Sequence, residues 1–104
     1  MRAIYLVNYA PNAVGGLIRG SDREAAVNAV MESVGGKLES IIFTRGEFDA
    51  VVIVDVPDRN TAVALAMAVE TSGDFKRNSL LEELDMKQII PIAQNVVKVY
   101  EPAG

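Results

Sequence analysis

Neither histidine nor cysteine occurs in the 104 residues. That removes the usual ligands of zinc, copper and haem, the thiol nucleophile and the imidazole base. Any chemistry must use carboxylates, Lys, Arg, Tyr, Ser or Thr, or a hard cation held by oxygens. The side chains best suited to it gather in Thr44-Arg45-Gly46-Glu47-Phe48-Asp49, directly before the apolar run Ala50 to Val56. A carboxylate such as Asp49 at the start of so apolar a strand must find hydrogen-bond donors or line a pocket. Two roles stay open for it: a structural bond, to the Gly15-Gly16 loop or to an arginine, or a candidate catalytic base in a ligand site. Arg45 and Glu47 form either an ordinary surface pair or, with Arg45 as anion anchor, the mouth of a pocket. Asn8, near the end of the first strand, is a lining group or a loop-capping amide. The ligand-binding candidates are therefore Asn8, Arg45, Glu47 and Asp49, while Gly46 supplies the turn. Arg77 reads as solvated, and Tyr5 and Tyr9 as core or interface residues. The glycines at 15, 16 and 20 fit neither the dinucleotide-binding nor the P-loop spacing, so no cofactor and no metal is expected.

The elements that must position these residues follow from patterning. Residues 2–9 read as strand 1 and end at Pro11. Ala10 to Gly20 reads as a loop, with at most a helical turn at Leu17 and Ile18. Ser21 and Glu24 have capping-box spacing, and Ala26, Val27, Val30, Met31 and Val34 recur at helical intervals until Gly35-Gly36. Lys37–Arg45 and Glu47–Val56 read as two strands joined at Gly46, with Pro57 ending the second. Asp58 then caps an alanine-rich helix. Phe75–Leu84 reads as strand 4, with Phe75 and Leu81 on one face and Leu80 and Leu84 on the other. A further helix starts at Asp85, with a kink or restart at Pro91; Val96–Tyr100 suits either its continuation or a short strand. The order is βαββαβ plus a C-terminal helix, an α+β ferredoxin-like fold with a four-stranded antiparallel sheet. Residues 1–100 form one domain and 101–104 a flexible tail.

With 14 acids against 10 bases the formal charge is −4 and no basic stripe exists, which argues against nucleic-acid partners. No stretch reads as a signal peptide or membrane helix, so a cytoplasmic protein without a membrane partner is expected. Strand 3 is apolar on both faces: Ala50, Val52 and Val54 on one, Val51 and Ile53 on the other. An antiparallel sheet with helices on one side normally turns a polar face to water. Pairing two sheets face to face in a homodimer would cover the second face, with the C-terminal helix beside helix 2 or reaching across.

Gly46-Glu47-Phe48-Asp49, the apolar strand after it and Pro57-Asp58 together resemble the GYD-domain family, named for a glycine–tyrosine–aspartate signature. Gly35-Gly36-Lys37-Leu38, Thr44 and the alanine-rich helix extend the likeness over roughly residues 2–90. Phe48 stands where the signature has tyrosine, which leaves packing rather than a phenol hydroxyl as its role. The family is similar to the dimeric α/β-barrel proteins, so the resemblance implies a homodimer or higher homo-oligomer. Related barrels include ligand-binding regulatory modules, small isomerases and cofactor-free monooxygenases. The leading expectation is a homo-oligomeric small-molecule-binding or regulatory module for a small organic ligand. The alternative is a cofactor-free isomerase or monooxygenase acting on a small organic acid, with Asp49 as base and Arg45 or Asn8 as anchor.

Overall fold

Period-two alternation builds the centre of the sheet. Strand β1 (Arg2–Tyr9) turns Ala3, Tyr5, Val7 and Tyr9 to one side, and all four are buried. Strand β3 (Ala50–Asp55) pairs antiparallel with it, bringing Ala50, Val52 and Val54 to the same side. The computed structural model describes residues 1–104. Two edge strands, β2 (Lys37–Phe43) and β4 (Phe75–Glu82), complete a four-stranded antiparallel sheet in the order β2-β3-β1-β4. Helix α1 (Pro11–Ile18) follows β1, α2 (Arg23–Ser33) packs over β2, α3 (Arg59–Glu70) packs over β4, and α4 (Met86–Val99) closes the chain. This is the ferredoxin-like βαββαβ arrangement with a C-terminal helix. No helix is long and apolar enough to cross a membrane.

Side-chain caps set the helix starts. Asp58 Oδ1 accepts hydrogen bonds from Thr61 N at 2.8 Å and Thr61 Oγ1 at 2.7 Å, which hold the Asp58 carboxyl below its usual range. At α2 the cap is Asp22, whose Oδ1 accepts from Ala25 N at 3.0 Å, rather than Ser21. The cap thus lies one residue beyond the expected one, and with Ala25 three residues on it is a simple N-cap rather than a capping box. The expected loop at 10–20 is instead mostly helix: Pro11 takes the first helical position, where its missing N–H costs nothing, and Ala13 is buried beneath. Two glycines at 15 and 16 lower the intrinsic helix propensity of that segment, and tertiary contact overrides it.

Three further expectations shift. The β2–β3 connection spans residues 44–49 rather than one glycine. It is closed by Thr44 N–H to the Asp49 carbonyl at 2.8 Å and Thr44 Oγ1 to the Phe48 carbonyl at 2.5 Å, with Gly46 at φ 145°. In β4, Arg77 pairs with Asn8 and Phe75 with Tyr9, so Lys76 is an extra residue. That bulge puts Phe75 on the same side as Leu80, against Tyr9 (ring centroids 5.4 Å apart), rather than with Leu81. Helix α4 runs unbroken through Pro91 to Val99, which settles Val96–Val99 as helix and removes the expected restart. Pro91 lies on an exposed part of the helix, where water can serve the carbonyl its ring leaves unbonded.

Tyr5 ties the sheet to α3. Its hydroxyl donates to the Ala62 carbonyl at 2.6 Å, and burial pushes its pKa up to about 12. Because the folded pKa lies above the unfolded one, the stability held by the neutral phenol is complete below about pH 10. It is lost as pH rises through about 12. Tyr5→Phe is expected to cost about 0.5–1.5 kcal/mol in urea unfolding at neutral pH and to flatten the alkaline decline between those values.

Candidate functional site

Because α2 sits over one edge strand and α3 over the other, the strip of sheet between them is roofed only by side chains from both helices. Tyr5, Val7, Val52 and Val54 form the floor of a cavity there, with Met31 and Leu65 projecting from the helices. Its volume is about 180 Å³ and its lining is mainly hydrocarbon. The polar members are few. Arg23 and Asp74 stand half-buried, 3.9 Å apart, and Asp74 Oδ1 also accepts from Asn12 Nδ2 at 3.0 Å. The Tyr5 hydroxyl is already committed to Ala62. Burial raises the Tyr9 phenol pKa; Arg23 opposes that shift, while Asp49 and Asp74 add to it.

Asn78 is different. It pairs with Val7 across the β1–β4 ladder and so shares the helix-facing side with Leu80. Both terminal atoms of its carboxamide, Oδ1 and Nδ2, are buried and have no hydrogen-bond partner. Buried polar atoms are nearly always paired, so Asn78 stands out among the residues that line the cavity; its two terminal atoms are covered in this conformation and reach the cavity only by a rotation of the side chain.

The residues flagged by the sequence lie elsewhere. Asn8 Nδ2 donates to the Glu47 carbonyl at 2.9 Å. Glu47 Oε1 lies 3.7 Å from Arg77 Nη1, so its ion-pair partner is Arg77 rather than Arg45. The Arg77 guanidinium sits 4.7 Å from the centre of the Phe48 ring, which gives Phe48 a packing role and makes Arg77 more than a solvated side chain. Asp49 Oδ2 accepts from Tyr9 N at 2.8 Å, and Asp49 N donates to the Val7 carbonyl at 2.8 Å. Its donor is thus the end of β1, not the Gly15-Gly16 segment. Arg45 is exposed on the turn. The structure brings Asn8, Glu47 and Asp49 together as a clasp between the 44–49 turn and β1, and none of the four candidates lines the cavity.

A model of the GYD domain matches residues 4–93. The chain belongs to the GYD domain family. Nothing among curated proteins or solved structures matches it. In this GYD domain the signature turn is therefore the clasp, and the cavity is built from all four strands with α2 and α3. Asp49→Ala frees the Tyr9 amide at the strand end and is expected to cost about 1–3 kcal/mol in chemical denaturation, whereas Asp49→Asn keeps an acceptor and loses less. Equal losses would show that the Asp49–Tyr9 bond is not what the side chain is for.

The sequence did contain a signal for Asn78. Counting back by two from Leu80 places it inward. The bulge at Lys76 disguises this, because counting forward from Phe75 places Asn78 outward. No three carboxylates converge anywhere as a cation cage would require.

Proposed function

We propose that the protein is a homo-oligomeric small-molecule-binding module whose ligand occupies the cavity between the sheet and helices α2 and α3. The observation that carries this reading is the Asn78 carboxamide, buried in the cavity wall with donor and acceptor both unpaired. An unpaired buried polar group costs about 1–3 kcal/mol, which a chain retains only where something offsets it. Once the side chain turns its carboxamide into the cavity, a ligand offering one acceptor and one donor side by side, as an amide, lactam or neutral carboxylic acid does, would satisfy both atoms. The volume of about 180 Å³ suits a single ring or a short branched chain; an apolar cavity of about 150 Å³ accommodates benzene.

A catalytic role for Asp49 needs its carboxylate in the cavity, and it is instead engaged with the Tyr9 amide outside it. Binding without turnover is therefore the better supported use of the site. The test is a thermal-shift screen of small cyclic amides, lactams and aromatic carboxylic acids. A true ligand at about 100 times its dissociation constant adds roughly 2.7 kcal/mol of stability. Loss of that shift in Asn78→Leu, with the variant still folded, supports the site; an unchanged shift refutes it.

A further inference from the structure

The polar residues at one end of the cavity are bonded in a way that leaves a charge unused. Asp74 is pinned on three sides. Its Oδ1 accepts from Asn12 Nδ2 at 3.0 Å, its N–H donates to Ser72 Oγ at 3.1 Å, and its carbonyl accepts from Ala10 N at 2.7 Å. Arg23 lines the same end with only 25% of its side chain exposed. Its closest acid is that pinned carboxylate, 3.9 Å from Nη1 and beyond hydrogen-bond range. None of its guanidinium N–H donors is bonded within the protein, whereas Arg2 and Arg59 bond Glu39 and Glu82 at 2.7 and 2.6 Å on the open surface. The helix does not account for the placement, since Arg23 is the first residue of α2, where the macrodipole disfavours a cation. A second unused donor lies near it. Tyr9 is 5% exposed and lines the cavity, its ring stacked on Phe75, and its hydroxyl makes no hydrogen bond. Arg23 is close enough to that phenol to act on its ionisation. The hydroxyl is not sealed off as the Asn78 atoms are, so a ligand can reach it.

We infer that the cavity takes a small amphipathic carboxylate, its anionic end held by Arg23 and the Tyr9 hydroxyl and its apolar body lying on the sheet. The inference rests on the binding role proposed above and narrows it to an anion. Three features select this class. The Nη1 side of the guanidinium faces Asp74, which leaves the Nε–Nη2 edge, two parallel donors matched to a carboxylate. Arg23 is the one basic residue in a lining that is mainly hydrocarbon, which suits a single negative charge on an apolar body. A phosphate would bring a second charge with no second cation to meet it. The spacing fits as well. Tyr9 lies two residues beyond Val7 on β1, and Asn78 pairs with Val7, so Asn78 stands about 7 Å along the strand from the anchor. A single ring with a polar group at each end covers that span. Asn78, turned inward, then meets the polar group at the far end of the ligand.

Calorimetric titration of the full chain with para-hydroxybenzoate and with its neutral counterpart para-hydroxybenzamide separates charge from shape. The acid is expected to bind at least about tenfold more tightly than the amide. Arg23→Gln should erase that preference by weakening the acid alone, with amide affinity and circular dichroism unchanged. Arg23→Lys, which keeps the charge without the planar fork, should retain part of it. Two results overturn the anion assignment and leave the cavity reading standing: an amide that binds as tightly as the acid, and a preference that survives Arg23→Gln. Absence of binding by both compounds overturns the inference as well, and if the wider thermal-shift screen is also silent the cavity reading falls with it.

Discussion

Asn78→Leu is expected to raise the melting temperature and to abolish ligand-induced stabilisation in the same variant. Both effects follow from one observation, that neither Oδ1 nor Nδ2 has a partner. Leucine has the same branched skeleton of four side-chain heavy atoms as asparagine, and its extra bulk can extend into the adjoining cavity, so the change swaps two stranded polar atoms for hydrocarbon inside a wall that is already mainly hydrocarbon. Removing an unsatisfied buried group returns about 1–3 kcal/mol. At roughly 4–8 °C per kcal/mol for a domain of about this size, the melting temperature rises by at least several degrees. Stability gained by deleting a polar group at the cost of function is the usual signature of a binding site. Asn78→Asp supplies the opposite control, because an ionised carboxylate in the same wall must be desolvated without a partner, and that variant should melt lower than the parent. A rise in melting temperature with the ligand shift retained would make Asn78 an unproductive defect rather than a recognition group. A fall would mean that the carboxamide has partners the geometry does not reveal.

What the sequence made legible was whatever depends on short-range periodicity. The alternation in β1 and β3 gave the buried set Ala3, Tyr5, Val7, Val52 and Val54, because side-chain direction in a strand is fixed by parity alone. Asp58 was readable as a helix cap because the bond it makes spans three residues. The doubled apolar face of β3 was visible for the same reason, and the open side of the sheet retains it. The features that escaped are those in which distant contacts outweigh local preference. Helix α1 forms despite two adjacent glycines, since burying Ala13 and packing Leu17 against the core compensate for weak propensity. The bulge at Lys76 inverts the parity of β4, and no local pattern announces a bulge. The bonding of Asp49 escaped by the same logic. Asp49 attracts notice because a carboxylate beside an apolar strand is locally anomalous, yet its partner, the Tyr9 amide, is 40 residues away in the chain. Asn78 looks ordinary beside Arg77 and Ser79, and only the folded neighbourhood shows that its amide has no partner.

The cavity also carries a stability cost that can be measured from its apolar side. Met31 is 5% exposed, projects from α2 into the cavity wall, and lies against the connection that leads into β2: its Sδ would meet a side chain at Gly36 at 3.3 Å. Met31→Ala is expected to lower stability by about 2–5 kcal/mol in urea unfolding, because the transfer free energy of the side chain is lost and an enlarged void remains. Methionine is flexible enough to follow the outline of whatever it lines, so Met31→Leu, which conserves volume, should cost less than about 1.5 kcal/mol. The site's role separates this residue from an ordinary core methionine. If Met31 walls a ligand cavity, the alanine variant should recover part of its lost stability on adding a homologue of the native ligand that is larger by a few carbons. The parent, with about 180 Å³ available, should respond to that homologue less than to the smaller compound. A loss below about 1 kcal/mol would mean that α2 collapses onto the sheet and closes the space, since the cost of such truncations scales with the void that survives. A full loss with no change of ligand size preference would place Met31 in the core and leave Asn78 to define the site without it.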